Sequence, residues 1–217
     1  MKKSIFICLT IFIAINRFVT AQVDSKAKGI LDEMSKKYKS YDVVKTDFVY
    51  TLDNPQARIK ESKKGVLYVK SKANKYKIIL SDHELICDGK NIWTYAKADK
   101  EVQINEIDYS ENSISPAKIF TVYEKGFKYL YVGAQVIQNK NCHIIDLTPT
   151  DTKKTFFKIR LTIDKDAMQI KEVLIFDKNG SKYTYAIKTF NASLKIPEST
   201  FAFDSKLYPG VEVVDLR

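Results

Sequence analysis

The residues best able to move protons near neutral pH are His83 and His143, the two histidines of the chain. His83 lies between Asp82 and Glu84, and His143 follows Cys142. Either could serve as a base or a ligand. Neither has a companion at the His-x-x-x-His spacing that places two imidazoles on one helical face. No Gly-x-Ser-x-Gly turn presents a nucleophile. Asp164 and Asp166 fall in a turn, where carboxylates serve local backbone N–H groups. Cys87 and Cys142 sit in apolar strand patterns at no metal-type spacing. An oxidising compartment would permit a disulfide between them, but buried free thiols are also ordinary and are the favoured reading. The pattern therefore points to no catalytic residue, no metal and no cofactor.

The aromatic residues carry more information. Phe48, Tyr50, Tyr68, Tyr76, Trp93 and Tyr95 lie in strand patterns, as do Phe156, Phe157, Phe176, Tyr183, Tyr185 and Phe190. Most must fill a β core. Several strands nevertheless look apolar on both faces, with Leu67 and Val69 beside Val66 and Tyr68, Ile78 beside Ile79, and Ile92 beside Trp93. A strand pair at a surface usually keeps one polar face. Helices can cover one apolar face, and the other needs a partner.

The elements that hold these side chains follow from periodicity. Asp24 or Ser25 can cap a first helix, in which Ala27, Ile30, Leu31, Met34 and Tyr38 recur at helical spacing. Alternation then predicts strands at 44–52, 65–70, 76–80, 83–87, 91–96 and 102–107. Ser115-Pro116 is a helix start, and a short helix is expected over 117–123, stopped by Gly126. Strands resume at 127–134, 142–147, 155–163, 169–176 and 181–190, the last two joined by the hairpin signal Asn179-Gly180. In 155–163, Phe157, Ile159, Leu161 and Ile163 are expected on one face. Phe201 to Phe203 and Val211 to Val214 close the chain. About eleven strands joined by short turns, with few helices, describe a curved antiparallel meander rather than alternating βαβ units.

The N-terminus sets the compartment. Lys2 and Lys3 precede an uncharged apolar run from Ser4 to Ile15, and Val19-Thr20-Ala21 supplies small residues before Gln22. This is the three-part pattern of a cleaved secretory signal over 1–21, leaving a single domain over 22–217. The apolar run is short for a membrane span, which needs about 20 residues. The formal net charge is +10. Export makes nucleic acid a poor partner for that charge. The lysines read as solvated strand residues that keep a β protein soluble, or as attraction to anionic head groups.

Several stretches resemble the LolA family of periplasmic lipoprotein carriers. Asp88-Gly89-Lys90-Asn91-Ile92-Trp93-Thr94-Tyr95 is similar to its Asp-Gly-Lys hairpin with a Trp-x-Tyr strand. Gly65-Val66-Leu67-Tyr68-Val69-Lys70 resembles its Gly-x-Leu-x-Val-Lys strand, and Lys72 to Ile78 its Arg-Pro-Asn-Lys segment. Leu147-Thr148-Pro149 and the closing Phe201-Ala202-Phe203 with Pro209-Gly210-Val211 follow in family order.

The resemblance implies an unclosed half β-barrel with helices across its concave mouth, and acyl chains held on the apolar concave side. It implies acylated lipoproteins as cargo, an inner-membrane ABC complex that releases them, an outer-membrane acceptor or membrane surface, and a monomeric carrier in a Gram-negative periplasm. Neither catalysis nor a cofactor is implied. Parity selects one face per strand, and the resemblance selects Phe48, Tyr50, Tyr76, Ile78, Trp93 and Tyr95 for the cavity. Ile30, Leu31 and Met34 of the first helix, with Ile119 and Phe120 of the second, are expected to form the lid. Lys72 stands where the family has a lid-latching Arg, with Ser71 inserted and Ala73 in place of Pro. An ammonium cannot reproduce the guanidinium fork, so a looser latch is expected. The same fold motifs leave open a carrier of another lipid or glycolipid, or a sensor of mislocalised lipoprotein.

Overall fold

The computed structural model describes residues 24–107, 123, 125–192 and 194–217. The expected signal segment, and the helix expected over 117–123 apart from Tyr123, with Ile119 and Phe120, lie outside the described residues. Helix α1 (Ser25–Ser40) is followed by strands β1 (Val44–Asn54), β2 (Ile59–Lys70), β3 (Lys75–Leu80), β4 (His83–Cys87), β5 (Asn91–Ala96) and β6 (Glu101–Glu106). Then come β7 (Phe127–Ile137), β8 (Lys140–Pro149), β9 (Phe156–Asp164), β10 (Gln169–Asp177), β11 (Lys182–Asn191) and β12 (Glu212–Asp215). All twelve strands form one sheet in the order β12-β6-β5-β4-β3-β2-β1-β11-β10-β9-β8-β7. Every pairing is antiparallel except β12 on β6. With β12 at one edge and β7 at the other, the sheet stays an unclosed half-barrel.

Local chemistry explains most of the elements. Asp24 caps α1 by accepting hydrogen bonds from Lys26 N and Ala27 N, both at 3.0 Å. Lys37 and Lys39 in the last turn suit the negative end of the helix dipole. Asp88-Gly89 and Asn179-Gly180 form their turns with Gly89 at φ +98° and Gly180 at φ +85°, a region that favours glycine. Strand β2 begins six residues earlier than its apolar alternation predicts. Ile59–Lys64 is almost wholly exposed and pairs with the outer half of β1, so no alternation marks it. In β9 the register shifts beside Asp177. That bulge buries Phe156 and turns Phe157 outward at 49 % exposure, which corrects the grouping of Phe157 with Ile159, Leu161 and Ile163.

The core lies between α1 and one face of the sheet, the inner face. Ala27, Leu31, Met34 and Tyr38 of α1 pack with Ile145, Leu147, Ile159, Leu161, Ile163 and Val173. The helix is fastened along its length. The second carboxylate oxygen of Asp24 accepts from Tyr131 N at 2.7 Å. Lys37 donates to the Ala167 carbonyl, and the Tyr38 hydroxyl accepts from Ile170 N at 3.0 Å. Cys87 and Cys142 are buried free thiols, and six strands of the sheet stand between β4 and β8.

Candidate functional site

The sheet register sorts the proposed cavity residues. Tyr50 lies beside Lys63 and Tyr185, and Phe48 beside Gly65 and Ile187. Tyr76 lies beside Val69 and Cys87, and Ile78 beside Leu67 and Leu85. These four share the inner face with the core. Gly65 is small for a reason: a Cβ there would stand 2.4 Å from Phe48 Cζ, so the bare backbone lets the Phe48 ring lie across β2.

Trp93 and Tyr95 are on the opposite side. Trp93 pairs with Ile86, which pairs with Lys77, and Tyr95 pairs with Glu84. All face outward from the half-barrel, so grouping Trp93 and Tyr95 with the other four is corrected. What covers them is the chain's own C-terminal segment. Trp93 stacks on Phe203 with centroids 6.2 Å apart, and Tyr95 meets Tyr208 edge-on at 4.9 Å. The Tyr208 hydroxyl donates to Glu84 at 3.1 Å, and burial together with the Glu84 charge raises its pKa. Lys77 reaches the same carboxylate at 3.3 Å. Lys70 and Lys75 both ion-pair with Glu198, Lys75 at 3.0 Å. Lys72, between them, is exposed in a 3-10 turn and has no ion pair with a described residue. Of the expected lid, Leu31 and Met34 are buried against the sheet and Ile30 is half-buried beside them.

At the end of the inner face that α1 leaves bare, the core opens into a cleft of about 330 Å³. Tyr50, Phe156, Ile175, Tyr183 and Tyr185 line it, with Thr155 and Asp177 at its rim. Its volume falls in the range of about 300–1,000 Å³ found for small-molecule sites. The rings form a ladder out of the core. Phe48 and Tyr185 centroids are 6.2 Å apart, Tyr185 and Tyr50 are 5.3 Å apart, and Tyr50 stacks on Tyr183 at 6.5 Å. Burial pushes the Tyr185 phenol up to about 12 and raises Tyr50 as well. Both hydroxyls therefore stay neutral at physiological pH, and the cleft offers aromatic faces, an aliphatic wall and a few hydroxyls. Tyr183, Tyr185, Phe156 and Ile175 were missed as site residues. Period two after Asn179-Gly180 put Tyr183 and Tyr185 on one face, but only the long-range pairing of β11 with β1 brings them to Tyr50.

Among the described residues, no cluster of three metal-ligating side chains occurs. No described helix is long and apolar enough to cross a membrane.

An unclosed half-barrel with a helix on its apolar inner face and an aromatic cleft at the end that this helix does not cover defines the structural class. Residues 39–204 match the family model of outer membrane lipoprotein carrier protein LolA, and the chain belongs to that family. An uncharacterized protein, MJ0687, of Methanocaldococcus jannaschii is 22 % identical over 203 residues, covering 91 % of this chain and 57 % of its own length. The chain thus spans little more than half of that relative. Among solved structures, an uncharacterized conserved protein from Thermus thermophilus superposes with a TM-score of 0.56 at 13 % identity, covering 88 % of this chain and 99 % of that one. MucB in the MucA/MucB complex of Pseudomonas aeruginosa gives a TM-score of 0.50 at 11 % identity, over 83 % of this chain and 62 % of that one. At these identities the solved structures share the fold.

Proposed function

We propose that this protein is a periplasmic carrier that shelters the acyl chains of lipoproteins on its inner face and ferries them from the inner to the outer membrane. The observation that carries the reading is the aromatic cleft at the end of the inner face that α1 does not cover. Each buried methylene contributes about 0.8 kcal/mol, so a chain of about 14 methylenes has roughly 11 kcal/mol at stake. Passage through water is prohibitive without an apolar shelter, and a sealed core could not release its cargo. A cleft continuous with the core but uncovered by α1 meets both needs. Membership of a family described as lipoprotein carriers supports the cargo. An inner-membrane ABC release complex would load the protein, and an acceptor or the outer membrane would unload it.

The binding set proposed is Phe48, Tyr50, Tyr76 and Ile78, joined by Tyr183, Tyr185, Phe156 and Ile175. Ile30, Leu31 and Met34 form the helical cover, and Lys72 is retained as an exposed latch candidate. The phenol hydroxyls and Asp177 at the rim favour one second reading, a carrier of a lipid whose head group bears hydroxyls, such as a glycolipid.

Protein purified from an envelope fraction should carry lipoprotein or lipid detectable by mass spectrometry, and depletion should raise lipoprotein in the inner membrane. Co-purifying glycolipid with normal lipoprotein sorting would favour the second reading. A protein free of any lipid, with sorting unaffected, would overturn both.

A further inference from the structure

The end of the half-barrel at which the cleft opens is also a platform of basic side chains. Three turns meet there. Asn54 at the end of β1 donates from Nδ2 to Ser181 Oγ at 2.9 Å, and a Cβ on Gly180 would stand 2.9 Å from Gln56 Oε1, so the β1–β2 and β10–β11 turns touch. Lys178 N donates to the Thr155 carbonyl at 2.9 Å, and Lys178 Nζ to the Thr152 carbonyl at 2.5 Å, which ties the β10–β11 turn to the β8–β9 loop.

This linked rim carries Arg58, Lys60, Lys153, Lys154, Lys178 and Lys182, nearly all exposed. Asp53, Glu61, Asp151 and Asp177 are the acidic residues among them, and two are turned onto their own turns: Asp151 accepts from Lys153 N at 2.8 Å and Asp177 from Asn179 N at 2.9 Å. Ile59, on the inner-face side of the same rim, is 40 % exposed. At the opposite end Lys70 and Lys75 are paired with Glu198 and Lys37 reaches the Ala167 carbonyl, while Lys72, Lys90 and Lys140 are exposed at separate turns. The turns there carry Asp88, Asp164 and Asp166.

We propose that the basic rim docks on an anionic lipid bilayer, which sets the mouth of the aromatic cleft against the head groups. The proposal deepens the carrier reading and rests on it for its purpose, though docking can be measured by itself. Several cations on one rigid surface are what a negative surface potential attracts, each worth about a fivefold change in partitioning. Tyrosine rings suit the interfacial layer, where an amphipathic side chain meets both wet and apolar surroundings. Docked this way, an acyl chain would pass between bilayer and cleft without crossing bulk water.

The test is co-sedimentation of the full chain with vesicles of phosphatidylcholine alone and of phosphatidylcholine mixed with phosphatidylglycerol. A rim variant (Lys153→Gln, Lys154→Gln, Lys178→Gln, Lys182→Gln) is compared with a control of equal charge change (Lys90→Gln, Lys140→Gln, Lys165→Gln, Lys195→Gln). Vesicle-free binding of a fluorescent fatty acid reports fold and cleft in each. Wild type and control should sediment with anionic vesicles only, and added salt should release them. The rim variant should bind on the order of several hundredfold more weakly, with fatty-acid binding retained. Equal loss in both variants, or equal wild-type binding to both vesicles, would overturn the docking. Docking without fatty-acid binding in any variant would leave the rim's role standing and remove the carrier reading.

Discussion

The two ends of the inner face differ sharply. Where α1 crosses it, Ile145, Leu161 and Ile163 are at 0 % exposure and the Tyr38 hydroxyl satisfies a buried N–H. At the other end the same face carries Tyr50, Tyr183 and Tyr185, which α1 does not cover. Among the described residues, one apolar surface therefore has a half that stabilises the fold and a half left unfilled. The unfilled half is where binding free energy remains to be gained, since a filled core has none to offer a ligand. Strand β5 shows the limit of that reasoning. Its apolar outer face looks equally in need of a partner, yet Phe203 and Tyr208 of the same chain already cover Trp93 and Tyr95.

Mutation can break the comparison. Leu161→Ala, in the sealed half, should cost about 2–5 kcal/mol of unfolding free energy, the cost of deleting a buried leucine side chain, while Tyr50→Ala at the mouth should cost clearly less; urea denaturation of both decides it. Equal losses would mean that the mouth is as well packed as the core. An intermediate effect is expected in alkali. Burial raises the Tyr185 phenol from 10.0 to about 12, so the folded state holds the proton more tightly than the unfolded one. Its stabilising contribution is complete below pH 10 and is lost as the pH rises towards 12. Denaturation across that window should show a steeper loss in wild type than in Tyr185→Phe, and identical slopes would place Tyr185 in open solvent. The smallest effect is a gain. Thr46 is fully buried on the inner face, and its Oγ1 has no hydrogen-bond partner among the described residues. Thr46→Val should raise stability by about 1 kcal/mol and leave ligand binding unchanged.

The sheet was largely legible because its signals are local. Alternation marked the strands, and Asp88-Gly89 and Asn179-Gly180 marked turns that need positive φ. What escaped was non-local or unpatterned. Ile59–Lys64 has no buried face to impose alternation, and the closing segment, expected over Val211 to Val214 and found as β12, pairs in parallel with β6, about half the chain earlier. The site was half legible for the same reason. Parity placed Trp93 and Tyr95 together and Ile92 opposite, which the structure shows. It could not reveal that residues 201–208 fold back over the Trp93 side. The fold was therefore right where the inner face was not, and Tyr183 and Tyr185 entered the site only through the pairing of β11 with β1. The cleft on the inner face over those two strands, away from Trp93, is the feature on which the carrier reading stands.

That reading is tested most directly by photo-crosslinking in cells fed radiolabelled palmitate, with benzoylphenylalanine replacing Tyr50 in one variant and Trp93 in another. The account predicts labelled acyl cargo attached at position 50 and none at position 93. Labelling at position 93, or at neither, would contradict it.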